Sequence, residues 1–207
     1  GGAAGGGRVA IYSTNKFAGS ISIAEGFSAT SKVGQPGSLH QSFTSFCDSG
    51  DPATTCTISQ VTTLGNGQTL GGTGNLVVSG SGSIVAPGVG ANAIIDFDGN
   101  VTVQSGGSIS GEFATFEAMD ITFDSGSTFA GDITTLNADD VVIAGTMTTD
   151  IADFDASSLT VSGTLTGNMP DVDVTGLIDV TATGVVDGNL VDVVATDLTI
   201  AAGGVMK

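Results

Sequence analysis

Short stretches in which apolar and polar residues alternate recur along most of the chain. Examples are Asn100-Val101-Thr102-Val103, Ile121-Thr122-Phe123, Leu159-Thr160-Val161-Ser162 and Leu198-Thr199-Ile200. Successive side chains of an extended strand point to opposite faces, so this alternation predicts short strands with one face buried. Each stretch is bounded by Gly, Asp, Asn or Ser, the residues that suit turns. No window of a dozen residues places apolar positions at the three-and-four spacing of an amphipathic helix, and the Val, Ile, Thr and Phe content favours strands. The pattern predicts an all-β fold.

The strands repeat. Phe116-Glu117 leading to Ile121-Thr122-Phe123 recurs as Leu136-Asn137 leading to Val141-Val142-Ile143, and as Phe154-Asp155 leading to Leu159-Thr160-Val161. It recurs again as Val172-Asp173 leading to Leu177, and as Val193-Val194 leading to Leu198-Thr199-Ile200, so the steps are 20, 18, 18 and 21 residues. A second column runs through Gly107-Ser108-Ile109-Ser110, Gly145-Thr146-Met147-Thr148, Gly163-Thr164-Leu165-Thr166 and Gly184-Val185-Val186-Asp187. It predicts Ile109, Met147, Leu165 and Val186 inside, and Ser127-Thr128-Phe129 joins it only with a one-residue slip. A coil of this length cannot bury its apolar side alone, whereas stacked coils make continuous apolar columns. The fold class expected is a single-stranded parallel β-helix, a β-solenoid with coils of about 18–21 residues. The competing arrangement is an antiparallel sandwich, whose two unequal sheets do not suit so tight a repeat. Residues Val61 to Leu64, 75–79 and 82–85 are expected to add earlier coils. Neither end reads as a polar capping repeat, and residues 201–207 read as a coil cut short. The open edges are expected to be met by self-association or by continuation in a longer chain.

Composition divides the chain into two zones. Residues 1–56 are rich in Gly, Ser and Phe and contain both cysteines and the single His40, while residues 57–207 are acidic β-solenoid repeats. The 207 residues include 21 acids and four bases, a formal net charge of −17, and 18 of the acids lie from Asp96 onward. Such a balance excludes nucleic acid as a partner, since phosphate neutralisation needs clustered Lys and Arg, and it disfavours anionic membrane surfaces. A hydrophobic content of 40% is enough for a core, which argues against disorder. Apolar runs such as Ala93-Ile94-Ile95 are far shorter than the ~20 residues a membrane-spanning helix needs. With no initiator Met and no secretion signal, the sequence reads as a piece of a longer protein.

Candidate chemistry is sparse. Cys47 and Cys56 enclose a loop of turn formers, Asp48 to Thr55, and with no other thiol nearby they are expected to form a local disulfide, which suits an oxidising compartment. Glu117, Asn137, Asp155 and Asp173 fall in one repeat column, and Asp153 and Asp171 in a neighbouring one. Stacking would bring these carboxylates to about 5 Å, where like charges repel unless a cation lies between them. Asp153, Asp155, Asp171 and Asp173 are therefore the candidate metal ligands, and Ca2+ is the hard cation their oxygens would take, set against solvated acidic edges. Neither the nonapeptide calcium repeat nor a twelve-residue hand loop is present. No cofactor is required. A lyase acting on uronates would need Arg or Lys, and residues 33–206 contain neither. Paired acids such as Asp153 and Asp155 could serve a glycosidase, but i and i+2 acids are also the ordinary outward pattern of a strand. No nucleophile-base pair is visible in the acidic zone, so no catalytic residue is assigned. Asn100-Val101-Thr102 is the one glycosylation sequon, with Asn100 in an Asp98-Gly99-Asn100 turn. Thr146/Thr148 and Thr164/Thr166 align one period apart, a ladder short enough to reflect β propensity alone.

Gly5-Gly6-Gly7-Arg8-Val9-Ala10-Ile11-Tyr12, then Phe17-Ala18-Gly19-Ser20-Ile21-Ser22, then Gly34-Gln35-Pro36-Gly37-Ser38-Leu39, resembles a motif of very large secreted glycine-rich repeat proteins. In that motif a Gly-Gly-Pro-Gly-Thr-Val-Tyr element stands third; Gln35 and Leu39-His40 depart from it. The acidic remainder resembles the β-helical stalks of adhesins of the filamentous-haemagglutinin or autotransporter-passenger type. These resemblances imply a structural role at the cell surface or outside the cell, and no catalytic residues. The function expected is a non-enzymatic extracellular structural protein, a stalk, filament or surface-layer segment. A surface adhesin or carbohydrate-binding module is the alternative, and a glycan-cleaving enzyme is disfavoured.

Overall fold

The structure, a computed structural model, describes residues 9–13, 39–43, 46–88, 90 and 92–207. The chain forms two compact units, residues 1–46 and 47–207. In the first, the strand Val9–Ser13 pairs in parallel with Leu39–Phe43, Val9 opposite Leu39 and Ser13 opposite Phe43. Arg8, the Phe17–Ser22 element and residues 34–38 lie outside the described residues. The unit boundary falls at 46/47 rather than at the compositional change near residue 56, so the hairpin that carries both cysteines belongs with the repeats.

The second unit is a β-solenoid of about eight turns, with no helix among the described residues and pairing that is parallel except at one hairpin. Its three faces are visited in fixed order. The first coil runs through Thr55–Ile58 on the first face, Val61–Thr63 on the second and Thr69–Gly72 on the third, then returns to the first face at Asn75–Val78. From Thr128 onward each coil is one nearly unbroken paired segment bent across the corners: Thr128–Ile143, Thr146–Val161, Thr164–Val180 and Val185–Ile200.

Alternation within each strand and register between strands together build the core. On the first face, inward positions stack as Cys56, Leu76, Val101, Ile121, Val141, Leu159 and Ile178, and beside them as Ile58, Val78, Val103, Phe123, Ile143, Val161 and Val180. All are buried. The second face contributes Thr62, Ile84, Ile109, Phe129, Met147, Leu165 and Val186, and the third Leu70, Ile95, Phe116, Leu136, Phe154 and Val172. Phe113, Phe116, Phe123 and Phe129 meet across the interior with ring centroids 5.9–6.4 Å apart, locking all three faces together. Each fully buried Leu, Ile, Val or Phe contributes about 1.5–3 kcal/mol relative to exposure, so the columns supply most of the stabilisation.

Ile109, Met147, Leu165 and Val186 point inward as the pattern predicts. Three details of the repeat are corrected. Phe129 stacks on Ile109 and under Met147 with no slip, because Ser127 takes the corner place that Gly107 and Gly145 hold in neighbouring coils. Ile178, not Leu177, continues the column of Leu159: the coil carries one extra residue at Gly176, which turns Leu177 outward and leaves it 40% exposed. Val61 likewise faces out and Thr62 takes the core position. The coil step is 18–21 residues from Ser108 onward, but Leu76 pairs with Val101, a step of 25. Most of the additional residues of that coil fall between the strands Ser83–Val85 and Ala93–Phe97, where no ladder has to be kept.

Candidate functional site: an acidic groove along one corner

Asp155 sits one residue after the buried Phe154 and Asp173 one after the buried Val172, so both carboxylates face out from the third face. Parallel register places Asp155 directly against Asp173, and the same pairing aligns Phe154 with Val172. Asp153 and Asp171, on the other side of those core residues, face out as well. Asp153 and Asp155 are half-buried, whereas Asp171 and Asp173 are exposed. Burial, and then the charges of Asp153, Asp173 and Asp171, hold the Asp155 carboxyl above its ordinary range. The four candidate ligands thus form one electrostatic cluster. Among the described residues, however, no three His, Cys, Asp or Glu side chains converge in an arrangement that could hold a metal ion. Strand geometry explains this: a flat parallel ladder sets carboxylates side by side along the stack, whereas a calcium site needs six to eight oxygens curving round one point.

The column continues upward through Asn137 and Glu117 to Asp96. Where the chain leaves this face, the corner is recessed. An open groove of about 330 Å³ is lined by Asp96, Asp98, Glu117, Met119, Asn137 and Asp139, and a second of about 200 Å³ by Asn137, Asp139, Asp155 and Asp173. They share Asn137, Ala138 and Asp139, so the recess follows the corner over several coils. Met119 is 52% exposed here, its backbone nitrogen donating to the Gly99 carbonyl and its carbonyl accepting from Asp139. Only acids and neutral residues line the recess.

Other acids are engaged differently. Asp140 accepts a 2.6 Å hydrogen bond from Ser158 Oγ one coil below, and Asp150 Oδ1 accepts one of 2.7 Å from the Asn168 backbone. Asp187 pairs with Lys207 at 3.2 Å, the one base of the described residues. These contacts tie successive coils together at their outer edges.

Cys47 and Cys56 are joined by a disulfide, with Cα atoms 5.0 Å apart. The bond staples the hairpin of Ser49–Asp51 and Thr55–Ile58 over the first-face edge of the first coil. Asp48 Oδ2 reinforces it by accepting from the backbone nitrogens of Ser59 and Gln60, both at 2.8 Å. Asn100 is exposed at its corner, its backbone nitrogen donating to Asn75 Oδ1 of the preceding coil at 2.8 Å.

Sequence reasoning missed Asp96, Asp98, Met119 and Asp139 as parts of the recess. The column as read from the repeat begins at Glu117, although Asp96 lies one 21-residue step before it and is its register partner. The usable signal was the pair of core residues Ile95 and Phe97, which fixes Asp96 outward. No protein family, curated protein or solved structure matches the chain.

Proposed function

We propose that the chain is a non-enzymatic structural segment of the cell exterior, a stalk, filament or surface-layer element built as a β-solenoid. The observation that carries this reading is the uninterrupted stack of apolar columns under outward-facing acids: the fold is spent on making a stiff, soluble repeat rather than on shaping a deep pocket. The disulfide supports an oxidising compartment. Val193, Leu198 and Ile200 continue columns that are buried in every coil above them, yet they are 36–52% exposed. That end-on apolar face supports stacking of a further coil or a second copy there.

An adhesin reading is favoured by the acidic recess. Carbohydrate recognition is the weaker form of it, since Phe97, Phe113, Phe116, Phe123, Phe129 and Phe154 are all withdrawn into the core and offer no ring face to a sugar. Catalysis is disfavoured because the raised carboxyl of Asp155 follows from partial burial and then from stacked like charges, and needs no active site to explain it.

Immunogold labelling of cells that make the protein, intact and permeabilised, tests the proposal. Label on intact cells is expected; label that appears only after permeabilisation contradicts it.

A further inference from the structure

The hairpin that opens the solenoid unit contains the chain's one Asp-Pro bond, Asp51–Pro52, inside the loop closed by Cys47–Cys56. Three features converge on that bond. Asp51 Oδ1 accepts a 2.7 Å hydrogen bond from the Ala53 backbone nitrogen, which ties the carboxylate into the turn that contains the Asp51–Pro52 peptide. The Asp51 carbonyl oxygen accepts from the Thr54 backbone nitrogen at 3.0 Å and from Thr54 Oγ1 at 3.4 Å, so two donors already face the oxygen that gains charge when its carbon is attacked. Pro52 supplies a tertiary amide, and its far side is fixed because the Pro52 carbonyl accepts from Gly74 one coil below at 2.8 Å. Asp51, Ala53 and Thr54 are exposed to water. The neighbouring strands Thr55–Ile58 and Asn75–Val78 carry no charged residue, leaving Asp48 and Asp51 as the acids of the hairpin.

We propose that Asp51–Pro52 is a self-cleavage site in mild acid, and that the folded hairpin accelerates the cut while the disulfide keeps the two products joined. The second carboxylate oxygen of Asp51 attacks its own carbonyl carbon and closes a five-membered anhydride. The carbon-nitrogen bond to Pro52 breaks, and the electron pair stays on the proline nitrogen, which takes a proton from solvent. Water then opens the anhydride, leaving Asp51 with free α- and β-carboxyl groups and Pro52 as a new N-terminus. The fold's contribution is positioning of the carboxylate and the preformed pair of Thr54 donors. After the cut, residues 1–51 remain attached to residues 52–207 through Cys47–Cys56, so release of the N-terminal unit requires a thiol reductant.

The test holds the full chain in mild acid and follows it by mass spectrometry and electrophoresis with and without a thiol reductant. The same chain, unfolded in denaturant at the same pH with its disulfide intact, gives the reference rate. Expected is cleavage about tenfold or more faster in the folded protein, one species without reductant, two with it, and Pro52 at the new N-terminus. Thr54→Val is expected to slow the folded reaction and leave the unfolded rate unchanged; Pro52→Ala is expected to slow both. Cleavage that is absent, that falls elsewhere, or that is no faster in the folded chain than in the unfolded one overturns the proposal.

Discussion

Replacing Gly167 by Ala should damage the solenoid far more than replacing Gly67 by Ala, although both glycines have positive φ. Gly167 has φ +143° at a corner between coils, and a Cβ built there would stand 2.5 Å from the Thr149 carbonyl carbon and closer still to its oxygen. Backbone of the coil above therefore fills the space that a side chain needs. Gly67 has φ +68° in an outward turn with nothing within 4 Å of its added Cβ. For Gly67→Ala the cost is the left-handed backbone alone, about 1–2 kcal/mol. For Gly167→Ala a similar strain of about 1–3 kcal/mol is joined by crowding of about 1–3 kcal/mol, roughly 2–6 kcal/mol together. A loss of this size is a large share of a typical domain's total of about 5–15 kcal/mol. Urea unfolding followed by circular dichroism measures both variants on one scale, and hydrogen exchange locates the damage. Loss of protection is expected to centre on residues 146–151 and 164–169, because contacts in a stacked repeat are mostly with nearest neighbours. Equal destabilisation by the two substitutions would refute the reasoning, since it would mean that the coils do not approach each other at this corner.

Other outcomes follow from the same geometry. Cys47→Ser with Cys56→Ser should lower stability by about 2–3 kcal/mol, the loop-closure value for a bridge spanning about ten residues, read as a lower urea midpoint; an unchanged midpoint would show that the hairpin holds without its staple. Because the folded fold raises the Asp155 carboxyl above its ordinary 3.8, its contribution is favourable below that value and is lost as pH rises through the raised one. Melting temperature should therefore rise as the pH is lowered from neutrality toward that window, and Asp155→Asn should raise it at neutral pH and flatten the slope. Calcium and magnesium at equal ionic strength should shift the melting temperature equally, because a ladder of carboxylates attracts cations diffusely; a calcium-selective rise would contradict that account.

Much of the architecture could be read from the residues, and the reasons are physical. Along the column from Ile109 to Val186 the inward residues are flanked mostly by small polar ones, and stacking such similar patterns favours one register. Reading failed where a single residue is added or exchanged. Gly176 shifts the outward and inward assignments of Leu177 and Ile178, because strand periodicity is two and one insertion exchanges the faces. Ser127 hid a register that was intact, since it stands where glycine was the expected corner residue. The acids were legible as columns but not as a groove: alternation tells which way Asp96, Glu117 and Asp155 point, whereas the recess depends on how far the corner at Met119 and Asp139 is drawn in. The hydrogen bonds from Ala53 and Thr54 to Asp51 belong to a turn whose sequence shows only that it turns.

The stacked register is tested most directly by spin-label distances on the second face. One label at Thr128 is paired in turn with labels at Thr146, Thr164 and Val185, its outward register partners in successive coils. The solenoid predicts distances that grow by about 4.8 Å per coil along this series. A series that fails to increase in equal steps, as an antiparallel sandwich would give, would contradict it.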